Sequence, residues 1–105
     1  MEIIETPIFT DRITDVLSDE EYSELQWALL INPEAGTVIP GGGGLRKLRW
    51  ALPPKGKRGG LRIIYYLYVE DEAIYMLLPY KKSEQEDLTK EQLKALSKHV
   101  KEGVL

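Results

Sequence analysis

The sequence predicts an α+β domain: a small twisted antiparallel β-sheet with two N-terminal helices and one C-terminal helix. Three observations predict it. Two capping boxes, Ser18 with Glu21 and Thr89 with Gln92, each open a stretch with an apolar helical stripe. Three segments, Leu45–Ala51, Leu61–Val69 and Ala73–Lys81, are rich in β-branched and aromatic residues and are separated by turn formers. The chain has 105 residues, enough for one hydrophobic core but not two. The elements therefore share a core in a single domain over residues 1–105.

In chain order, residues 2–6 read as a short strand that Pro7 ends. Thr10 or Asp11 is the expected cap of a short helix carrying Ile13, Val16 and Leu17. Ser18 starts the second helix, where Asp19, Glu20 and Glu21 suit the positive end of the dipole. Tyr22, Leu25 and Leu29 make its apolar face, and Asn32-Pro33 stops it. Residues 33–44 form a loop with a brief extended piece at 37–39, and the four glycines Gly41 to Gly44 make a tight turn into the next strand. The stretch 52–60 is a basic, glycine-rich loop. Leu61–Val69 is the strongest strand, Glu70-Asp71-Glu72 the turn, and Ala73–Lys81 the hairpin partner. Leu93, Leu96 and Val100 give the closing helix one apolar face.

Composition excludes several classes of function. With no cysteine there is no disulfide framework, thiol nucleophile or Cys-based zinc site. Apolar runs such as Ile74–Leu78 fall far short of the ~20 residues of a membrane helix, and the acidic N-terminus does not resemble a signal peptide, so a cytoplasmic protein is expected. His99 is the sole histidine, which excludes a two-histidine nuclease. The acids at 19–24 sit where a helix start favours acids anyway, so no metal is assigned to them.

Charge is the main signal. Residues 1–40 hold nine acids and one base, whereas residues 41–62 hold seven bases (Arg46, Lys47, Arg49, Lys55, Lys57, Arg58, Arg62) and no acid. A net charge of -3 and a pI near 5.2 conceal that block, and local field rather than net charge attracts phosphate. Strand alternation places Lys47 with Arg49 on one face, and Arg62 with Tyr66 and Tyr68 on the face opposite Leu61, Ile63, Tyr65 and Leu67. If those faces coincide, three cations span two strands, with Lys81 and Lys82 closing the cluster. The bland alternative is a solvated basic sheet face. Among Trp50, Tyr65, Tyr66, Tyr68 and Tyr80, one or two rings are expected to be free to stack on a base and the rest to be core. The loop glycines fit neither a Walker motif nor a dinucleotide fingerprint.

GTVIPGGGGLRKLRWA, then GKRGGLRIIYYLY, then a strand ending in YKK before a capped helix, resembles the RelE/ParE superfamily of toxins, nearest to its HigB-type branch. The resemblance runs from Ser18 to Val100. It implies a toxin of a type II toxin–antitoxin system, an endoribonuclease that cuts mRNA on the ribosome without cofactor or metal. It places catalytic residues at Lys47, Arg49, Arg62 and Lys82, and RNA or ribosome contacts at Arg46, Lys55, Lys57, Arg58, Tyr80 and Lys81. A tyrosine that some members carry before the final helix falls on Leu88, which leaves Tyr80 as a substitute by proximity. The implied partners are the ribosome, mRNA and a HigA-like antitoxin with a helix-turn-helix domain, with no membrane or small-molecule ligand. The alternatives are a ParE-like gyrase inhibitor and a non-catalytic RNA- or protein-binding module on the same scaffold.

Overall fold

The structure, a computed structural model, describes residues 1–52 and 60–103. Along the chain run β1 (Glu2–Glu5), α1 (Pro7–Val16), α2 (Asp19–Ile31), β2 (Thr37–Val38), β3 (Leu45–Trp50), β4 (Leu61–Tyr68), β5 (Ala73–Lys81) and α3 (Lys90–Glu102). The strands make one sheet in the order β1-β5-β4-β3-β2. The architecture is the predicted α+β one, with a refinement at one edge: β1 pairs with β5 in parallel, and the other strand pairs are antiparallel. A parallel pair needs a long crossover, which α1, α2 and the intervening strands supply.

The first helix starts a turn earlier than the Thr10–Asp11 cap expected from composition. Thr6 is its N-cap, with Oγ1 accepting from the Phe9 amide at 3.2 Å and donating to the Leu77 carbonyl at 2.9 Å. Pro7 fills the first helical position, where its fixed φ suits the helix and its missing N–H is not needed. Glu5 ties β1 to both helices, since its carboxylate accepts from Thr10 Oγ1 and from the Tyr22 hydroxyl, each at 2.6 Å. The two predicted capping boxes form at Ser18 and Thr89.

Two apolar layers sandwich the sheet. On one face α1 and α2 bury Phe9, Ile13, Leu25 and Leu29 against Leu48, Leu61, Ile63, Tyr65 and Met76. On the other, α3 lays Leu93, Leu96 and Val100 over Leu45, Ile64, Leu77, Leu78 and Tyr80. Alternation alone suggests that this second face of β4 is open. Ile64 and Tyr66 make part of it apolar, and α3 covers that part. A register shift between Ile64 and Tyr65 leaves Leu77 as an extra residue on β5, which turns it into the α3-side core.

The glycine run is the tight turn expected between β2 and β3. Gly41, Gly43 and Gly44 have positive φ, and a Cβ at Gly44 would sit 2.9 Å from Tyr66 Cε1. Among the described residues, no helix is long and apolar enough to cross a membrane.

Candidate active site

The sheet register assembles the cations. Arg49 on β3 lies directly opposite Arg62 on β4, which lies opposite Tyr80 on β5. The next rung along the strands holds Lys47, Ile64 and Leu78. Leu45, Ile64, Leu78 and Tyr80 belong to the α3-side core, so alternation places Lys47, Arg49 and Arg62 on the same side. The helix caps the apolar part of that face, and the cations stand beyond its start. Arg49 is exposed, while Lys47 and Arg62 are half-buried. Like charges directly opposite across two strands cost stability. A pair of arginines in that register therefore points to an anion as the group that the face receives.

An acid that the sequence pattern did not single out completes the cluster. Asp87 lies in the segment between β5 and α3, and its Oδ1 accepts from the Leu88 amide at 2.8 Å, Lys47 Nζ at 3.3 Å and the Tyr80 hydroxyl at 3.4 Å. The Leu88 amide is the main cause that holds this carboxyl below its ordinary range; burial opposes it, and Lys47 and then Tyr80 add to the lowering. The Tyr80 hydroxyl is pushed up to about 12, first by burial and then by the charge and hydrogen bond of Asp87, with Arg62 pulling the other way. At neutral pH the site thus holds an ionised Asp87 and an un-ionised Tyr80. Asp87 carries no motif, and forty residues separate it from Lys47, so only the fold reveals the pair.

The other sequence-predicted residues divide. Arg46 alternates to the opposite face, where its guanidinium donates to the carbonyls of Gly36 at 2.8 Å and Glu34 at 3.4 Å. That arginine fastens the loop before β2 and stands on the face opposite Lys47, Arg49 and Arg62. The neighbouring Tyr65 is fully buried, donates to the Pro33 carbonyl at 2.6 Å and accepts from the Gly36 amide at 2.8 Å, so its ring is core. Lys81 pairs with buried Leu61 and so belongs to the α1-side face, beside Arg12 and Asp15. It does not join the Arg62 cluster, because one residue along a strand changes the face. Lys82 donates its amide to the Gly60 carbonyl at 3.1 Å, which puts it one residue past the end of β5, at the edge of the cation cluster. Tyr80 is only 3% exposed, so its ring cannot stack on a base as expected, and only its hydroxyl reaches the site. Lys55, Lys57 and Arg58 lie outside the described residues.

Chemically, two opposed arginines present fixed, permanently charged donor forks suited to phosphate oxygens. Lys47 adds a mobile ammonium whose present partner is an exposed carboxylate, an exchangeable contact. The family model described as the RelE toxin of the RelE / RelB toxin-antitoxin system matches residues 33–104, more than two thirds of the chain, and takes in β2 to β5 with the cations that they carry. The chain belongs to the RelE toxin family.

Proposed function

We propose that this toxin is a ribosome-dependent mRNA endoribonuclease of the HigB type, acting in the cytoplasm to stop translation. The observation that carries the reading is the rung of Arg49 and Arg62 beside Lys47, on the uncovered end of a sheet face. The scissile phosphate lies across that rung. The ribose 2′-OH attacks phosphorus, so that a 2′-O–P bond forms and the bond to the 5′-oxygen of the next nucleotide breaks. The two guanidinium groups stabilise the charge that develops on the phosphorane oxygens. Arginine cannot give up its proton, so proton handling falls to the lysines. Lys47, released from Asp87, is the group placed to accept the 2′ proton, and Lys82 the group placed to donate to the departing 5′-oxygen. The products are a 2′,3′-cyclic phosphate and a 5′-hydroxyl. The ribosome supplies alignment of the strand, a contribution that proximity effects set at up to ~7–11 kcal/mol.

The cognate partner in this reading is a HigA-like antitoxin with a helix-turn-helix domain. It neutralises by covering the cation face or by keeping the toxin out of the ribosome. Primer extension on translated mRNA tests the assignment. Expression of the chain is expected to produce cuts with 5′-hydroxyl ends, and expression of Arg62→Ala none. Intact mRNA together with broken chromosomal DNA would move the target to gyrase. Intact mRNA and DNA with retained RNA binding would leave a binding module.

A further inference from the structure

A second cationic surface lies outside the cluster just described. Lys90, Lys94, Lys98 and Lys101 fall on one face of α3, at helical spacings of four, four and three. Together with Leu93, Ser97, Gly41 and Gly43 they line a groove of about 530 Å³ between α3 and the turn into β3. The segment 83–105 is nearly neutral, which hides this stripe in the sequence: Glu84, Glu86, Asp87, Glu91 and Glu102 offset the four lysines in the count, yet none of them lines the groove. All four lysines are exposed, and among the described residues none is in an ion pair. Ser97 Oγ donates to the Gly42 carbonyl at 2.9 Å, which holds the turn against the helix and fixes the groove's width. On the turn side the wall is bare backbone, because the residues that line it there, Gly41 and Gly43, carry no side chain.

We infer that this groove is a track for the phosphate backbone of the substrate RNA strand, continuing from the cation cluster. The inference rests on the proposed RNA substrate and extends it to nucleotides away from the cut. Continuity with the site favours the substrate strand as the occupant. Lys90 is three residues from Asp87, and β3 begins at Leu45, two residues past the groove-lining Gly43, and reaches the cluster at Lys47 and Arg49. From Lys90 to Lys101 the stripe is about 16 Å long at 1.5 Å per helical residue, long enough for several nucleotides. Unpaired lysines facing bare glycine backbone suit a polyanion that lies close to the wall.

The test compares the wild type with the triple variant Lys94→Gln/Lys98→Gln/Lys101→Gln. Glutamine matches lysine in helix propensity, so the fold is expected to hold, as thermal melting checks. The probes are a 20-nucleotide single-stranded 2′-O-methyl RNA, which lacks the attacking hydroxyl, and a four-nucleotide version. Binding of the 20-mer by the wild type should show a log K against log salt slope that the triple variant flattens by about 2, since three contacts at ~0.7 each are lost. The corresponding triple arginine variant should keep the slope, and the 4-mer should bind all three proteins alike. An unchanged slope in the glutamine variant overturns the inference. So does an effect confined to vacant ribosomes, which would assign the lysines to ribosomal RNA, or one confined to an acidic antitoxin segment. A wild type that cuts translated mRNA yet binds the 20-mer no better than the 4-mer overturns the groove and leaves the proposed function standing. Salt-dependent, stripe-dependent binding of the 20-mer without mRNA cleavage does the reverse.

Discussion

Asp87→Asn separates the two things that Asp87 does in the site. The carboxylate competes with incoming phosphate for Lys47 at 3.3 Å, and it accepts the Tyr80 hydroxyl at 3.4 Å. Asparagine keeps an acceptor oxygen for the Leu88 amide and the tyrosine but removes the charge. The side chain of Asp87 is 67% exposed and that of Lys47 25%, so this is a surface ion pair. Such pairs are worth about 0.2–1 kcal/mol, and the stability of the variant should stay within ~1 kcal/mol of the parent. The same figure is the cost of displacing Asp87 from Lys47 when a phosphate binds. Removing it should tighten substrate binding by up to about fivefold, the equilibrium factor for ~1 kcal/mol. The assay is cleavage of a programmed ribosome complex at varied toxin concentration, with stability followed in parallel by denaturant melting. Half-saturation at lower toxin concentration, with kcat within about threefold, is expected. Weaker binding would refute the competition argument and would mean that Asp87 presents Lys47 to the substrate. The sign of its pH dependence follows from its lowered pKa. Its contribution to stability is complete above the unfolded carboxylate value near ~3.9 and disappears only as pH falls through the lower folded value. Between pH 5 and 8 the rate profiles of parent and variant should therefore run parallel.

Arg62→Ala should leave the fold intact and abolish growth inhibition, which a growth assay beside thermal melting decides; a folded, fully toxic variant would remove Arg62 from the site. Lys47→Ala and Arg49→Ala should be strongly non-additive in cleavage rate, because the two share one face and one anion, and small additive losses would return the strand to an ordinary solvated face. Tyr80 should titrate near 12 when followed by ¹³Cζ tyrosine NMR. In Asp87→Asn its midpoint should fall yet stay above 10, since burial is the larger cause. Its raised pKa makes a stability contribution that is complete below the unfolded value of ~10 and fades as pH rises through the folded value.

Much of the fold was legible because local chemistry and the global structure agree. Ser18 with Glu21 and Thr89 with Gln92 marked two helix starts, and the β-branched run of β4 marked the central strand. The start of α1 is not legible in the sequence, because Pro7 serves equally as a strand stop and as a first helical residue. The cation face was legible at Lys47, Arg49 and Arg62, where alternation alone assigns side, and register then brings them together. Arg46 and Lys81 show the limit of reading charge as a block, since each sits one residue out of phase with the cluster. Asp87 and the α3 lysines were illegible for another reason: their meaning comes from what packs beside them, and sequence spacing does not encode that.

The site is built on the packing of α3, and the packing of the opposite layer is separate from it. Asp87 is held by the Leu88 amide, and Leu88 and Leu93 pack on the core beneath Tyr80. Loosening that layer should therefore shift Asp87, the Tyr80 hydroxyl and Lys47 together, at modest cost to the fold. Leu93 is only half-buried, so Leu93→Ala should cost about 1–2 kcal/mol, below the ~2–5 kcal/mol of fully buried leucines. A domain of ordinary stability, about 5–15 kcal/mol, stays almost wholly folded after such a loss. A drop of about tenfold in cleavage would then report displacement of the site and not unfolding. Leu25→Ala is the control, because Leu25 is fully buried in the other layer under α2. That variant should be the less stable of the two, yet at a temperature where both are folded it should cleave at the parental rate per molecule. Equal losses of activity in the two variants would show that the layers are not independent, and that α3 packing has no privileged hold on the site.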